Sequence, residues 1–152
     1  MRKDVNRKTP AKHDRKSAPR KVSPRATLSK SRCLCEASGI LFFPCSGASN
    51  VGHLADCASR ELAAEGAGLM YCLAGIGAHY PSMIASARDA GRIVGIDGCE
   101  IGCAKKILER AGLMVTDYIV VSALGIEKKY QPIRKKDLST VKQAIEKSLY
   151  KD

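Results

Sequence analysis

The fold of this chain is decided by the stretch Ile93-Val94-Gly95-Ile96-Asp97-Gly98-Cys99-Glu100-Ile101-Gly102-Cys103. It begins as an apolar run with β-branched residues and reaches a glycine turn after Asp97. Apolar residues then recur at helical spacing as far as Ala111, which predicts a strand, a tight turn and a helix. We expect Cys99 at the start of this helix and Cys103 one turn further on, so that both thiols face the same way. Two thiols placed in this way form half of a metal site.

The rest of the chain repeats this pattern of an apolar run followed by a helical pattern. The other apolar runs are residues 40–43, 69–73 and 118–121, and the second is followed by a predicted loop over residues 74–77. Strand and helix patterns thus alternate four times, which predicts a small open parallel sheet with helices on both faces. We expect an α/β domain with a Rossmann-like or flavodoxin-like strand order of 2-1-3-4.

The positive charge of the chain is concentrated at its amino-terminal end. Residues 1–32 contain twelve Lys and Arg but two Asp, a net charge of +10 out of the total of +11. This segment has almost no large apolar side chain, so we expect a disordered basic tail over residues 1–36. One domain is expected over residues 37–152. Nucleic acid is expected to bind, if at all, only through the tail, because the remainder is nearly neutral.

The apolar runs and the cysteine content of the sequence together indicate the compartment. No run of eighteen apolar residues occurs, so no membrane span is predicted, and residues 40–43 are too short for the apolar core of a signal peptide. Seven cysteines, an odd number, favour metal binding or catalysis in a reducing compartment over a disulfide framework. We therefore predict a cytoplasmic protein without membrane association.

Four of the cysteines follow predicted strands. Cys45 ends the first strand, Cys72 lies near the end of the second, and Cys99 and Cys103 follow the third. The carboxyl ends of parallel strands meet at one edge, and the order 2-1-3-4 places the first strand between the second and third. These four thiols are therefore expected to converge, and zinc binds four thiolates tetrahedrally. The sequence predicts a zinc site at this edge.

Four motifs together resemble the DGC-domain family over about residues 39–130. They are Cys45-Ser46-Gly47-Ala48-Ser49, Cys72-Leu73-Ala74-Gly75-Ile76-Gly77-Ala78, Asp97-Gly98-Cys99 with Cys103, and Leu124-Gly125-Ile126-Glu127-Lys128. The family is described as zinc-binding proteins with four characteristic cysteines. The resemblance implies that Cys45, Cys72, Cys99 and Cys103 are the zinc ligands, and it implies no particular reaction.

Several chemistries stay open for the same thiols. An iron-sulfur cluster competes with zinc, since the spacing does not separate the two. An enzyme is the other alternative, either zinc-dependent with one labile ligand or thiol-redox through a pair such as Cys45 with Cys99. A CxxxxxR phosphatase loop is excluded, because Val51 stands where the arginine is needed. Zinc binding of a structural, sensing or carrying kind is the predicted function, and whether the protein is an enzyme stays open.

Other candidate residues have plainer interpretations. Cys57 is expected to be a small buried hydrophobe of the first helix. Cys33 and Cys35 are expected to be incidental where the tail meets the domain. His79 is the first choice for a non-cysteine residue of the site. Asp97 is expected to be a turn or cap residue, with a hydrogen bond near a metal ligand as the alternative role.

Overall fold

The computed structural model describes residues 39–150. Its strands are β1 (Ile40–Pro44), β2 (Leu69–Met70), β3 (Arg92–Asp97) and β4 (Asp117–Val120). Its helices are α1 (Asn50–Ala64), α2 (Leu73–Gly77), α3 (Pro81–Arg88), α4 (Cys103–Arg110) and α5 (Lys135–Leu149), and a 3-10 turn, Val121–Leu124, follows β4. The predictions for residues 1–36, including Cys33 and Cys35, lie outside the described residues.

The four strands form a parallel sheet in the order β2-β1-β3-β4. Phe42 of β1 pairs with Met70 of β2 on one side and with Val94 of β3 on the other, and Val94 pairs in turn with Asp117 of β4. The predicted fold class and strand order are therefore confirmed. Because β1 is central, the loops after β1, β2 and β3 lie side by side at the carboxyl edge.

Alternate residues of β1 enter two different cores. On one face, Phe42 packs in a core with Leu54 of α1 and Ile145 of α5. On the other face, Leu41 and Phe43 pack against the remaining helices. The helix residues of that second core are Ile76, Ala87 and Leu108. The three β1 side chains are fully buried, which stabilises the fold by about 1.5–3 kcal/mol each and explains the unbroken apolar run.

The segment after β2 differs from the sequence prediction. The second strand has two residues rather than five, and the predicted loop over residues 74–77 belongs to helix α2. The helix begins here because the Cys72 sulfur accepts a hydrogen bond from the backbone N–H of Gly75 at 3.3 Å. Ile76 is then fully buried in the second core. Cys72 is therefore a helix cap at the edge of the sheet.

The prediction that Cys99 begins the third helix is wrong. Helix α4 begins at Cys103, and the residue before it, Gly102, has a φ of 68°, in the left-handed region that interrupts a helix. Cys99 lies instead in the turn that precedes this glycine. The two thiols consequently do not share one helical face, although both remain in the segment that follows β3.

Candidate metal centre

The loops after β1 and β3 meet at Cys45. The Cys45 sulfur accepts a hydrogen bond from the backbone N–H of Gly98 at 3.2 Å, and the Cys45 N–H donates to the carbonyl oxygen of Ile96 at 3.0 Å. A Cβ atom on Gly98 would lie 2.7 Å from the backbone nitrogen of Gly52 in α1. Only glycine permits this approach, so the turn that carries Cys99 is pressed against the first turn of α1.

The Cys45 thiol is half-buried, and several neighbouring groups affect its pKa. Burial raises the pKa of Cys45, while hydrogen bonds from the N–H groups of Gly98 and Gly47 act in the opposite direction. The negative charges of Asp97 and Cys103 contribute to the rise in pKa. The charge of Cys103 is thus the smallest of these influences on the Cys45 thiol.

The loops after β1 and β2 share a cavity. Cys45 and Cys72 both line this open cavity of about 560 Å³, which lies within the size range of small-molecule pockets. Its remaining lining is mostly apolar, with one cationic residue, Arg60. Cys72 is an exposed residue of this lining. Cys45 thus shares a cavity with Cys72 and also contacts the loop that follows β3.

A cation lies beside Cys99. The Lys128 ammonium nitrogen is 3.4 Å from the Cys99 sulfur. This hydrogen bond and the charge of Cys99 raise the pKa of Lys128, and the charge of Cys103 contributes to the same rise. Lys128 is the last residue of the motif Leu124-Gly125-Ile126-Glu127-Lys128, and the sequence alone predicts no role for it. No local signal marks it, because the contact joins residues 29 positions apart.

Asn50 fixes the backbone that carries Lys128. The buried Asn50 amide donates to the carbonyl oxygen of Glu127 at 2.9 Å and accepts from the N–H of Lys129 at 2.6 Å. The N–H of Asn50 donates to the carbonyl oxygen of Lys129 at 2.8 Å. Three hydrogen bonds thus hold the Lys128 segment against the start of α1, next to the Cys45 loop.

Asp97 caps helix α4 from a distance. Its carboxylate is 1% exposed and accepts hydrogen bonds from the N–H groups of Ala104 at 2.8 Å and Lys105 at 3.0 Å. The Tyr118 hydroxyl donates to the same carboxylate at 3.2 Å. Burial, followed by the charge of Asp97, raises the pKa of Tyr118 to about 12. Asp97 is expected from the sequence to cap a helix beginning directly after it; it instead bonds the first turn of α4 from seven residues away, and these bonds close the turn between Asp97 and Cys103.

The structure also describes two other candidates, His79 and Cys57. His79 is exposed and has a φ of 57° after the end of α2. Cys57 is half-buried in α1, where burial raises its thiol pKa. Every cysteine between residues 39 and 150 is a free thiol. In this part of the chain, no three Cys, His, Asp or Glu side chains are already grouped closely enough to hold a metal ion.

No helix between residues 39 and 150 combines the length and the apolar character that crossing a bilayer requires.

Comparison with known proteins identifies similar sequences. The family model of the DGC domain matches residues 41–145, a range that contains Cys45, Cys72, Cys99 and Cys103. The anaerobic and virulence modulator AnvM of Pseudomonas aeruginosa is 34% identical over 90 residues, which are 59% of this chain and 69% of AnvM. No solved structure matches the chain significantly.

Proposed function

Since this chain belongs to the DGC domain family, we propose that it binds zinc through the thiols of Cys45, Cys72, Cys99 and Cys103. The observation that carries the proposal is the position of Cys45. Its sulfur accepts a hydrogen bond from the N–H of Gly98, in the turn that leads to Cys99. Cys45 also lines the same cavity as Cys72, and the charge of Cys103 contributes to its raised pKa. Three loops separated in sequence therefore bring soft donors to one edge of the sheet.

The chemistry of these donors suits zinc. Zinc binds as many as four thiolates, and thiolates are stabilised by N–H groups directed at sulfur. Cys45 and Cys72 each accept such a bond, from Gly98 and Gly75 respectively. The described thiols are not grouped for coordination, so the proposal requires their sulfurs to come together when zinc binds. Cys72 and Cys103 are both exposed, so neither residue is held in a packed core.

We also propose a regulatory role by analogy with the relative. AnvM is named as an anaerobic and virulence modulator, and we extend a modulating role to this chain, with zinc-bound thiolates as its responsive element. The cytoplasm is the proposed compartment, because a reducing environment keeps such thiols available. An iron-sulfur cluster, a zinc enzyme and a thiol-redox protein are the competing functions for the same cysteines.

Elemental analysis of protein purified without air tests the proposal. We expect one zinc per chain in the wild type and near-zero zinc in the Cys99→Ser variant, since serine is a poor zinc ligand. Cys57→Ser is the matched control, because Cys57 is a half-buried thiol outside the proposed site. It should keep the full zinc content.

Each other result has a definite meaning. A wild-type protein that contains no zinc would refute the proposal. If the protein contains iron and inorganic sulfide in equal molar amounts, the cysteines hold an iron-sulfur cluster instead of zinc. Stoichiometric zinc in Cys99→Ser would remove Cys99 from the ligand set. Three cysteines with an exchangeable water in the zinc coordination shell would favour the enzyme alternative.

A further inference from the structure

We propose that Lys128 is a positioning residue of this site, which holds the Cys99 sulfur and compensates the charge of the metal-bound thiolates. The inference rests on the proposed function, because it concerns the retention of the metal. Four thiolates carry two more negative charges than one zinc ion neutralises, so a cation beside the cluster stabilises it. Lys128 is 3.4 Å from the Cys99 sulfur, the contact of a charge-assisted hydrogen bond to sulfur.

The direction of the Lys128 side chain is specific to this residue. The adjacent Lys129 belongs to the same backbone segment but pairs with Glu127, at 2.7 Å between its ammonium nitrogen and the carboxylate. Asn50 fixes the backbone on both sides of Lys128 through its side-chain bonds to Glu127 and Lys129. The two neighbouring lysines therefore have different partners. Lys128 contacts the Cys99 thiol, and the buried Asn50 amide holds the backbone on both sides of it.

The surrounding charges allow Lys128 to act on more than one thiol. Cys99 is its hydrogen-bond partner, and Cys103 is within electrostatic range. Glu100 is the competing anion: its pKa is lowered mainly by hydrogen bonds from its own backbone N–H and from the Ser122 hydroxyl, with a smaller contribution from the charge of Lys128. The Glu100 carboxylate bonds the Ser122 hydroxyl at 2.7 Å, whereas the Lys128 ammonium bonds the Cys99 sulfur. Because Lys128 is exposed, salt should weaken its effect.

Competition for zinc with a chromogenic chelator tests this role in the full-length protein. Partners that orient metal ligands typically change metal affinity by 10–100-fold, so Lys128→Met should weaken zinc binding about tenfold at low salt. The difference from wild type should shrink at high salt, and Lys128→Arg should restore most of the affinity. Lys129→Met is the matched control and should bind zinc like the wild type. The metal-free proteins should all melt at the same temperature.

The outcomes separate this inference from the proposed function. Equal zinc affinity in Lys128→Met and Lys129→Met would overturn the role of Lys128 while leaving zinc binding intact. Absence of zinc binding in the wild type would overturn both. A loss of affinity that Lys128→Arg does not restore, and that salt does not change, would also overturn the electrostatic role.

Discussion

Replacing Asp97 by Asn should destabilise the fold, because the carboxylate serves three donors at once. It accepts the N–H groups of Ala104 and Lys105 and the Tyr118 hydroxyl, and it is 1% exposed. The asparagine side chain has one acceptor oxygen, and its NH₂ group cannot accept a hydrogen bond from the helix N–H that it would face. A buried donor left unpaired costs about 1–3 kcal/mol, and the lost charge at a helix N-terminus adds roughly 0.3–1 kcal/mol. We expect a loss of about 2–3 kcal/mol.

Thermal and denaturant unfolding of the metal-free protein measure this loss. For a domain of this size about 1 kcal/mol corresponds to a change of roughly 4 °C in Tm, so Tm should fall by about 10 °C. Asp89→Asn is the matched control, since Asp89 is an exposed residue at the end of α3, and its change should be within about 0.5 kcal/mol. An Asp97→Asn variant as stable as this control would refute the idea that Asp97 holds the Cys99 turn closed.

Three further predictions concern packing, titration and metal. Gly98→Ala should lower the free energy of unfolding by about 1–3 kcal/mol in denaturant, because the new Cβ would lie 2.7 Å from the backbone of Gly52. Gly47→Ala is the control and should be neutral, because a Cβ there has no atom within 4 Å. The pKa of Tyr118 is raised to about 12, so the fold favours the neutral phenol. The contribution of this phenol to the free energy of unfolding is therefore complete below about pH 10 and declines as the pH rises to about 12. A spectrophotometric titration in which the last tyrosine ionises near pH 10 would contradict this assignment. Zinc at 100 times its dissociation constant should raise the free energy of unfolding by about 2.7 kcal/mol in the wild type and leave Cys99→Ser unchanged in calorimetry.

The sheet could be predicted from the sequence because its two central strands, β1 and β3, are buried on both faces. Such strands are continuous apolar runs: the run over residues 40–43 is uninterrupted, and the one in β3 is interrupted only by Gly95. The run over residues 69–73 has the same appearance, but β2 is an edge strand with two paired residues. The Cys72 cap then begins a helix, and a sulfur acting as a cap is not evident from apolar spacing.

The positions of three candidate cysteines along the sheet edge could be predicted, but the contacts around them could not. The topology places Cys45, Cys72 and Cys99 after three neighbouring strands, as expected. The left-handed conformation of Gly102 separates Cys99 from the helix, and a helical spacing rule cannot detect it. The approach of Lys128 depends on tertiary packing through Asn50, 77 residues before Glu127, so no local pattern reveals it.

Two of the contacts that hold the turn carrying Cys99 do not involve a sulfur atom. Asp97 ties it to α4, and Gly98 lets it rest directly on the backbone of Gly52. Neither contact involves the sulfur of Cys99 or Cys103, so the backbone path of this turn is expected to survive replacement or oxidation of either thiol. The turn is therefore a fixed support for side chains whose own chemistry can change.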